Sequence, residues 1–582
     1  MVSRQRHDTV RFFLGGELMF GPCKQIRLLG LLGSVALAGC GGDFDSQSST
    51  APAQSLAQRA GAPLFEGMGD YHMPITTADP DAQRYFDQGM VLAFGFNHAE
   101  SIRSFRAAQT LDPTCAMCFW GEALAAGPNI NVTSNGKAIM APAERASARA
   151  AIDQALALMD DVRPKEQDWI RALDQRYDGQ ADTPRDPLDR AWANALADMA
   201  SSYPDDTTVA SVYAEALMNT MPWDYWGPDG EAKPDTQAVI ASLEAVMDAD
   251  PDHPLALHLY IHALEASSNA AKAEPAADGL ANLVPGSGHL VHMPSHIYFR
   301  VGRYQDSALA NIRAAEVDEA YIAQCNAQGF YPALYYPHNI HFLWASATMQ
   351  GQSALSLDSA RRVVANVRVE QVEQFPTIQF FRTVPMLSLV RFARWEEILE
   401  EPEPHEPFAF ARAIWHYGRG VAHAALGDAG AARVELAAIE GLEPEVDEVF
   451  MGNVYPARDL LEIAKSLLRG EMAYRSDDAA NAVLAFEEAV ALQDALPYTE
   501  PPFWYYPTRQ SLGAALLATN RLAEAQAVFE DDLEQYPMNG WSMFGLAEAL
   551  RRQGDETGAE QMTARFKRVW QFADVSLATS IL

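Results

Sequence analysis

A formal charge of −34 over 582 residues, with no long basic stripe to offset it, argues against a nucleic-acid binder, since phosphate contacts need clustered Lys and Arg. The composition is globular, 48% hydrophobic and rich in alanine and leucine, which excludes intrinsic disorder. The length suffices for several cores or for one long core that grows by repetition, and the surplus acid favours solubility and cations.

The first forty residues read as an address. Lys24 and Arg27 precede the apolar run LLGLLGSVALAG (28–39), too short to span a bilayer and suited to the apolar region of a signal peptide. The run ends in Leu37-Ala38-Gly39-Cys40, which resembles a bacterial lipobox. That resemblance implies cleavage before Cys40 and lipidation of Cys40. With Gly41 following, it further implies an outer-membrane lipoprotein facing the periplasm, attached to the membrane by lipid alone. Met19 is a more usual start for such a signal than Met1. Residues 1–39 are read as the signal and 40–63, small, polar and aperiodic, as a flexible tether.

The body begins at Leu64 and carries a repeated pattern: a small residue midway through one helix, small and aromatic residues in the next, then a closing proline. Gly89, Ser101, Phe105, Ala108 and Pro113 form one copy, and Gly420, Gly427, Ala432, Leu436 and Pro444 another. The clearest copy is Leu512-Gly513, Leu516, Ala525, Phe529 and Pro537, followed by Leu546-Ala547, Leu550, Gly554 and Ala559. On these motifs the chain resembles the tetratricopeptide repeat family over most of residues 80–575. The resemblance implies an all-α fold, an α-solenoid of helix–turn–helix units, and a concave groove that captures protein or peptide partners. Residues 64–345 are taken as an N-terminal helical region carrying a histidine cluster, and 346–582 as a C-terminal one. The stretches 146–161 and 165–177 have helical periodicity, and no alternating strand pattern occurs. Two insertions, 220–235 and 324–337, are too long for inter-helix turns, and their aromatic content predicts that they pack onto the solenoid.

Seven of the fourteen histidines fall between His258 and His341. His258 and His292 are 34 residues apart, as are His262 and His296, which is the period of the repeat. HLYIHALE places His258, His262 and Glu265 on one helical face, and HLVH (289–292) recurs as HNIH (338–341). Equivalent slots of stacked repeats lie side by side, so His258, His262, Glu265, His289, His292, His296, His338 and His341 are candidate ligands for zinc, copper or iron. The set exceeds one ion's needs, which makes a two-metal centre conceivable. Pro294 and Pro337 leave open whether His289, His292 and His338 sit on helix or loop. The alternative is a ladder of neutral imidazoles that holds a peptide or the aromatic insertions.

Cys115 and Cys118 are expected to form a local disulfide, which an exported setting permits, leaving Cys325 over. Phe119 stands where covalent haem attachment requires His. A contribution of the two thiolates to the histidine site is the other reading. PPFWYYPTRQSLG (501–513) offers Tyr505, Tyr506, Arg509 and Gln510 as partner-binding anchors in the groove, to which Tyr298, Phe299 and Arg300 add. They serve equally well as packing residues. Walker, GxSxG, dinucleotide and HExxH motifs are missing. Two function classes result. The first is a lipid-anchored binding scaffold with a histidine-lined metal site on its concave face. The second is a metal-dependent small-molecule oxidoreductase or hydrolase, with Glu265 as candidate base and Tyr298 or Arg300 orienting an anionic substrate.

Overall fold

The computed structural model describes residues 55–582 apart from 135–136, 228–229, 328, 375, 406 and 451–454. The signal-type segment, Cys40 and the tether as far as residue 54 lie outside the described residues. From Pro80 the chain is a succession of paired helices with short turns. Pro80–Phe94 starts on a proline with Asp79 capping it, and His98–Leu111 follows with Asn97 as its cap. The last helical pair is Gly540–Gln553 and Glu556–Val569.

The repeated small residue has a steric reason. A side chain on Gly89 would meet the Phe105 ring at 2.7 Å, and one on Gly121 would meet the same ring at 2.3 Å. The C-terminal copy is built alike, with Phe529 clamped between Gly513 at 2.3 Å and Gly545 at 2.2 Å. Each phenylalanine is thus sandwiched between the glycine of its own hairpin and that of the next. This is how stacking buries a face that no single hairpin could cover. The chain is accordingly an all-α solenoid of tetratricopeptide type.

Several expectations need correction. Pro444 lies inside the helix Ala429–Phe450 and does not close a repeat. The tether ends earlier than residue 63: Leu56–Ala60 is a short helix, Ala60 and Ala62 are buried, and the Tyr85 hydroxyl donates to the Ala62 carbonyl at 2.6 Å. The boundary at 345/346 marks a change of content only, because Gln54–Leu582 is one compact unit. Among the described residues, strand pairing is confined to Thr133–Ser134 with Lys137–Ala138 and an isolated Trp226–Ala232 bridge. None of the described helices is long and apolar enough to cross a membrane.

Two large apolar cores organise the stack, one running from Ala60 to Tyr335 and the other from Phe299 to Ala549. They meet in the segment that carries the histidines. The superhelix also returns on itself: the Trp541 indole donates to the Thr348 carbonyl at 3.2 Å, and Asp574 accepts from the backbone of Ser353 and Ala354. That return brings the loop after the helix Ala479–Asp494 over residues more than two hundred positions earlier.

Candidate metal centre

The helix Pro254–Leu264 is apolar on every side and every one of its residues is buried. Two of them are imidazoles, and a buried imidazole needs partners. His258 Nδ1 donates to the Phe94 carbonyl at 2.7 Å; Phe94 ends its own helix, where carbonyls lack intrahelical donors. His262 Nδ1 lies 2.7 Å from Glu265 Oε1. Two later helices, Gly288–His292 and Pro294–Arg300, are separated only by Met293, whose backbone is itself helical. His289, His292 and His296 therefore share one line across the proline, and the helix-or-loop question for His289 and His292 is resolved in favour of helix. His338 opens the helix Tyr336–Met349.

His296 Nδ1 reaches the other oxygen of Glu265 at 2.6 Å, and the Tyr498 hydroxyl donates to that same oxygen at 3.0 Å. His292 Nδ1 sits 2.6 Å from Asn311 Oδ1, whose amide nitrogen donates to the Ser307 carbonyl and so fixes which end faces the ring. Four imidazoles thus have Nδ1 anchored by an acceptor, leaving Nε2 directed into the chamber. Outer-sphere acceptors of this kind fix the tautomer of metal-ligating histidines. Nε2 of His258, Nε2 of His262 and both ring nitrogens of His289 are buried without a polar partner among the described residues. Unpaired buried polar atoms cost about 1–3 kcal/mol each, and a cluster of neutral imidazole nitrogens of this kind could hold a metal ion.

The ligand atoms form three groups within which all lie no more than 4.8 Å apart: His258, His262 and His289; His292, His296 and His338; and His262, Glu265 and His296. Bonds of about 2.0–2.1 Å separate tetrahedral ligands by about 3.3–3.4 Å, within reach of small side-chain adjustments. His292 Nε2 and His296 Nε2 are already 2.8 Å apart with both Nδ1 atoms engaged elsewhere, so two lone pairs face each other. A hydrogen on either Nε2 makes the contact an N–H···N hydrogen bond, and a metal held by both rings requires them to move apart to about 3.3 Å.

Burial holds these imidazoles neutral, which is the ligating state. His262 is lowered to about 3 and His338 to about 4 by desolvation, and His258, His289, His292 and His296 fall well below the usual value for the same cause, reinforced by neighbouring rings. Burial also pushes the Glu265 carboxyl up, opposed by the Tyr498 hydroxyl and the Arg300 guanidinium. A cation on the histidines that Glu265 orients would oppose it further.

Of the eight candidate ligands, the structure brings six histidines together: ring centroids are 4.8 Å apart for His258–His262, 5.0 Å for His258–His289, 5.6 Å for His262–His296, 4.7 Å for His292–His296 and 4.9 Å for His292–His338. His341 is not among them. One turn further along its helix, it stacks on Trp344 at 5.0 Å and packs against Phe380 and Phe381. Glu265 is present but its oxygens are already occupied, so it positions two rings and is poorly placed as ligand or general base. Cys115 and Cys118 form a disulfide, so no thiolate from that pair joins the site.

The partner-binding anchors are corrected too. Tyr505 is buried with its hydroxyl 3.0 Å from that of Tyr417, Tyr506 is buried against Ser511, and Gln510 is fully buried with its amide oxygen accepting from Arg391. Arg509 pairs with Asp494, and the Tyr298 hydroxyl donates to Asp278. Phe299 packs on Tyr304 and Phe342. Phe299 and Arg300 among them line a cavity beside the histidines.

The aromatic insertions do pack inward. Trp223 lies 5.4 Å from His262 and donates to Asn131, whose amide donates to Tyr335, itself 4.8 Å from His289. Phe96, 4.6 Å from His258, takes a left-handed backbone at φ +56°. That conformation costs an L-residue roughly 1–2 kcal/mol. The same conformation recurs at other inter-helix turns, in Ala393, Asp477 and Asn520 as well as in Gly427 and Gly554. Sequence reasoning missed Asn311, Tyr498 and Glu500. Tyr498 and Glu500 stand immediately before the aromatic segment that opens at Pro501, and nothing local marks them as facing residue 265.

No family model matches the chain, and neither does any curated protein. Solved structures similar to it include the human IFIT1 dimer with PPP-AAAA, 11% identical, covering 84% of this chain and 91% of that one at a TM-score of 0.30. Yeast Tom70 is 12% identical, with 84% and 90% covered and a TM-score of 0.24. The TPR domain of P58(IPK) is 12% identical, with 58% and 89% covered and a TM-score of 0.19. Similarity at this level says nothing about the site. The class is defined by the chain's own hairpins: an α-solenoid of tetratricopeptide type that encloses a polyhistidine chamber.

Proposed function

We propose that this protein is a metalloprotein that holds transition-metal ion in a buried histidine chamber at the junction of its two cores. The observation that carries the proposal is the division of labour on the rings: Nδ1 anchored by Phe94, Glu265 and Asn311, Nε2 left facing a common interior. All-imidazole donors suit zinc, copper or iron. The lipobox-like segment supports placing this metalloprotein at the cell envelope. The repeat resemblance supports a scaffold whose outer surfaces meet protein partners, since its inner face is filled by its own aromatic loops.

A second reading, metal-dependent chemistry on a small molecule, is favoured by two cavities of about 330 and 310 Å³ that flank the loop around Glu500 and touch His296 on one side and His338 on the other. Pockets of this size accept small ligands. Elemental analysis of the purified chain tests the proposal. Bound transition metal is expected in the native protein and a loss of it in the His258→Ala, His292→Ala double variant; equal metal content in both sinks the reading.

A further inference from the structure

Resting on that reading, the geometry points to a centre for two ions with unequal roles: a closed one on His258, His262 and His289, and an open one on His292, His296 and His338 that takes a small apolar carboxylate. The first triad is buried throughout, while His338 in the second is partly exposed. Neither cavity reaches His258, His262 or His289; each reaches one member of the second triad. The third grouping, His262 with Glu265 and His296, does not compete for an ion of its own. Glu265 binds the Nδ1 edges there, tying one ring of each triad to the other from behind.

The class of ligand follows from the walls of the larger cavity. Phe299, Phe342, Phe503 and Trp504 supply apolar and aromatic surface beside His296. Arg300 lines the same cavity. It donates to the Ser267 carbonyl at 3.1 Å and its buried Nε has no partner, so the guanidinium retains donors for an anion. A carboxylate there sits between a guanidinium and an ion held by His292, His296 and His338, with its apolar body on the aromatic rings. Glu500 bounds both cavities, its Oε1 3.9 Å from His296 Nδ1.

The test uses the full chain stripped of metal, titrated with Co(II) and followed by visible absorption, with benzoate as the ligand probe. Two ions per chain are expected, falling to one in His258→Gln and to one in His338→Gln. Benzoate is expected to shift the cobalt band in the native protein and in His258→Gln and to have no effect in His338→Gln. Arg300→Gln is expected to keep two ions and weaken benzoate about tenfold. Circular dichroism guards against unfolding, and His338, the least buried of the six rings, is the variant on which the conclusion turns. Uptake of a single ion overturns the inference and leaves the metal reading standing, as does a benzoate response that survives His338→Gln. Failure to take up any cobalt overturns the metal reading itself.

Discussion

The C-terminal hairpins and the histidine chamber use the same helical pairing for opposite ends. Between Arg509 and Val569, Phe529 is clamped by Gly513 and Gly545, so stability around that ring is a matter of fit. Between Pro254 and Met349, positions of the same repeat period carry imidazoles whose inner edges have no partner. The fold tolerates buried polar rings where an outer acceptor fixes one edge of each. In the first region the clamped ring fills its own slot; in the second, the ring nitrogens without a partner are the ones the proposed ion would satisfy.

The largest effect that sharpens this contrast belongs to the apolar region. Phe529→Ala leaves a void between two glycines that cannot fill it and is expected to cost about 3–5 kcal/mol in urea unfolding, with metal content per folded chain unchanged. A parallel loss of metal breaks the contrast. Next comes Asn311→Ala, which removes the acceptor that orients His292. Metal affinity, measured by competition with a chelator, is expected to fall about 10–100-fold while stoichiometry at saturation holds. The smallest effect is a change of slope with pH. His253 is buried at the start of the helix Pro254–Leu264, and desolvation lowers it to about 4 from 6.5. A depressed histidine takes its proton more readily when unfolded. Its contribution is therefore fully present above pH 6.5 and is lost as pH falls toward about 4. His253→Asn keeps a capping acceptor and does not titrate, so the fall in melting temperature across that range, followed on metal-free protein, is expected to be shallower than in the native chain.

How much was legible differs between the two regions for a physical reason. Gly513 and Phe529 mark the hairpin in sequence because their steric requirement is local and recurs at a fixed period. The 34-residue spacing of His258 with His292 and of His262 with His296 was equally visible, and the rings do meet. His341 shows the limit: its recurrence with His292 was a match of words, and one helical turn points it at Phe380 and Phe381 instead. Tyr505, Tyr506 and Gln510 show another, since aromatic and amide residues read alike whether they await a partner or already have one.

Sequence by itself determined the all-helical hairpins, their period and the identity of the imidazoles, because helix packing and repeat spacing are set by near neighbours. Tertiary structure alone decided which ring edges are tied back and which are free. Phe94 and Tyr498 approach the cluster from 164 and 233 positions away, and only the stacking and return of the superhelix place their acceptor and donor within 3.0 Å of His258 and Glu265.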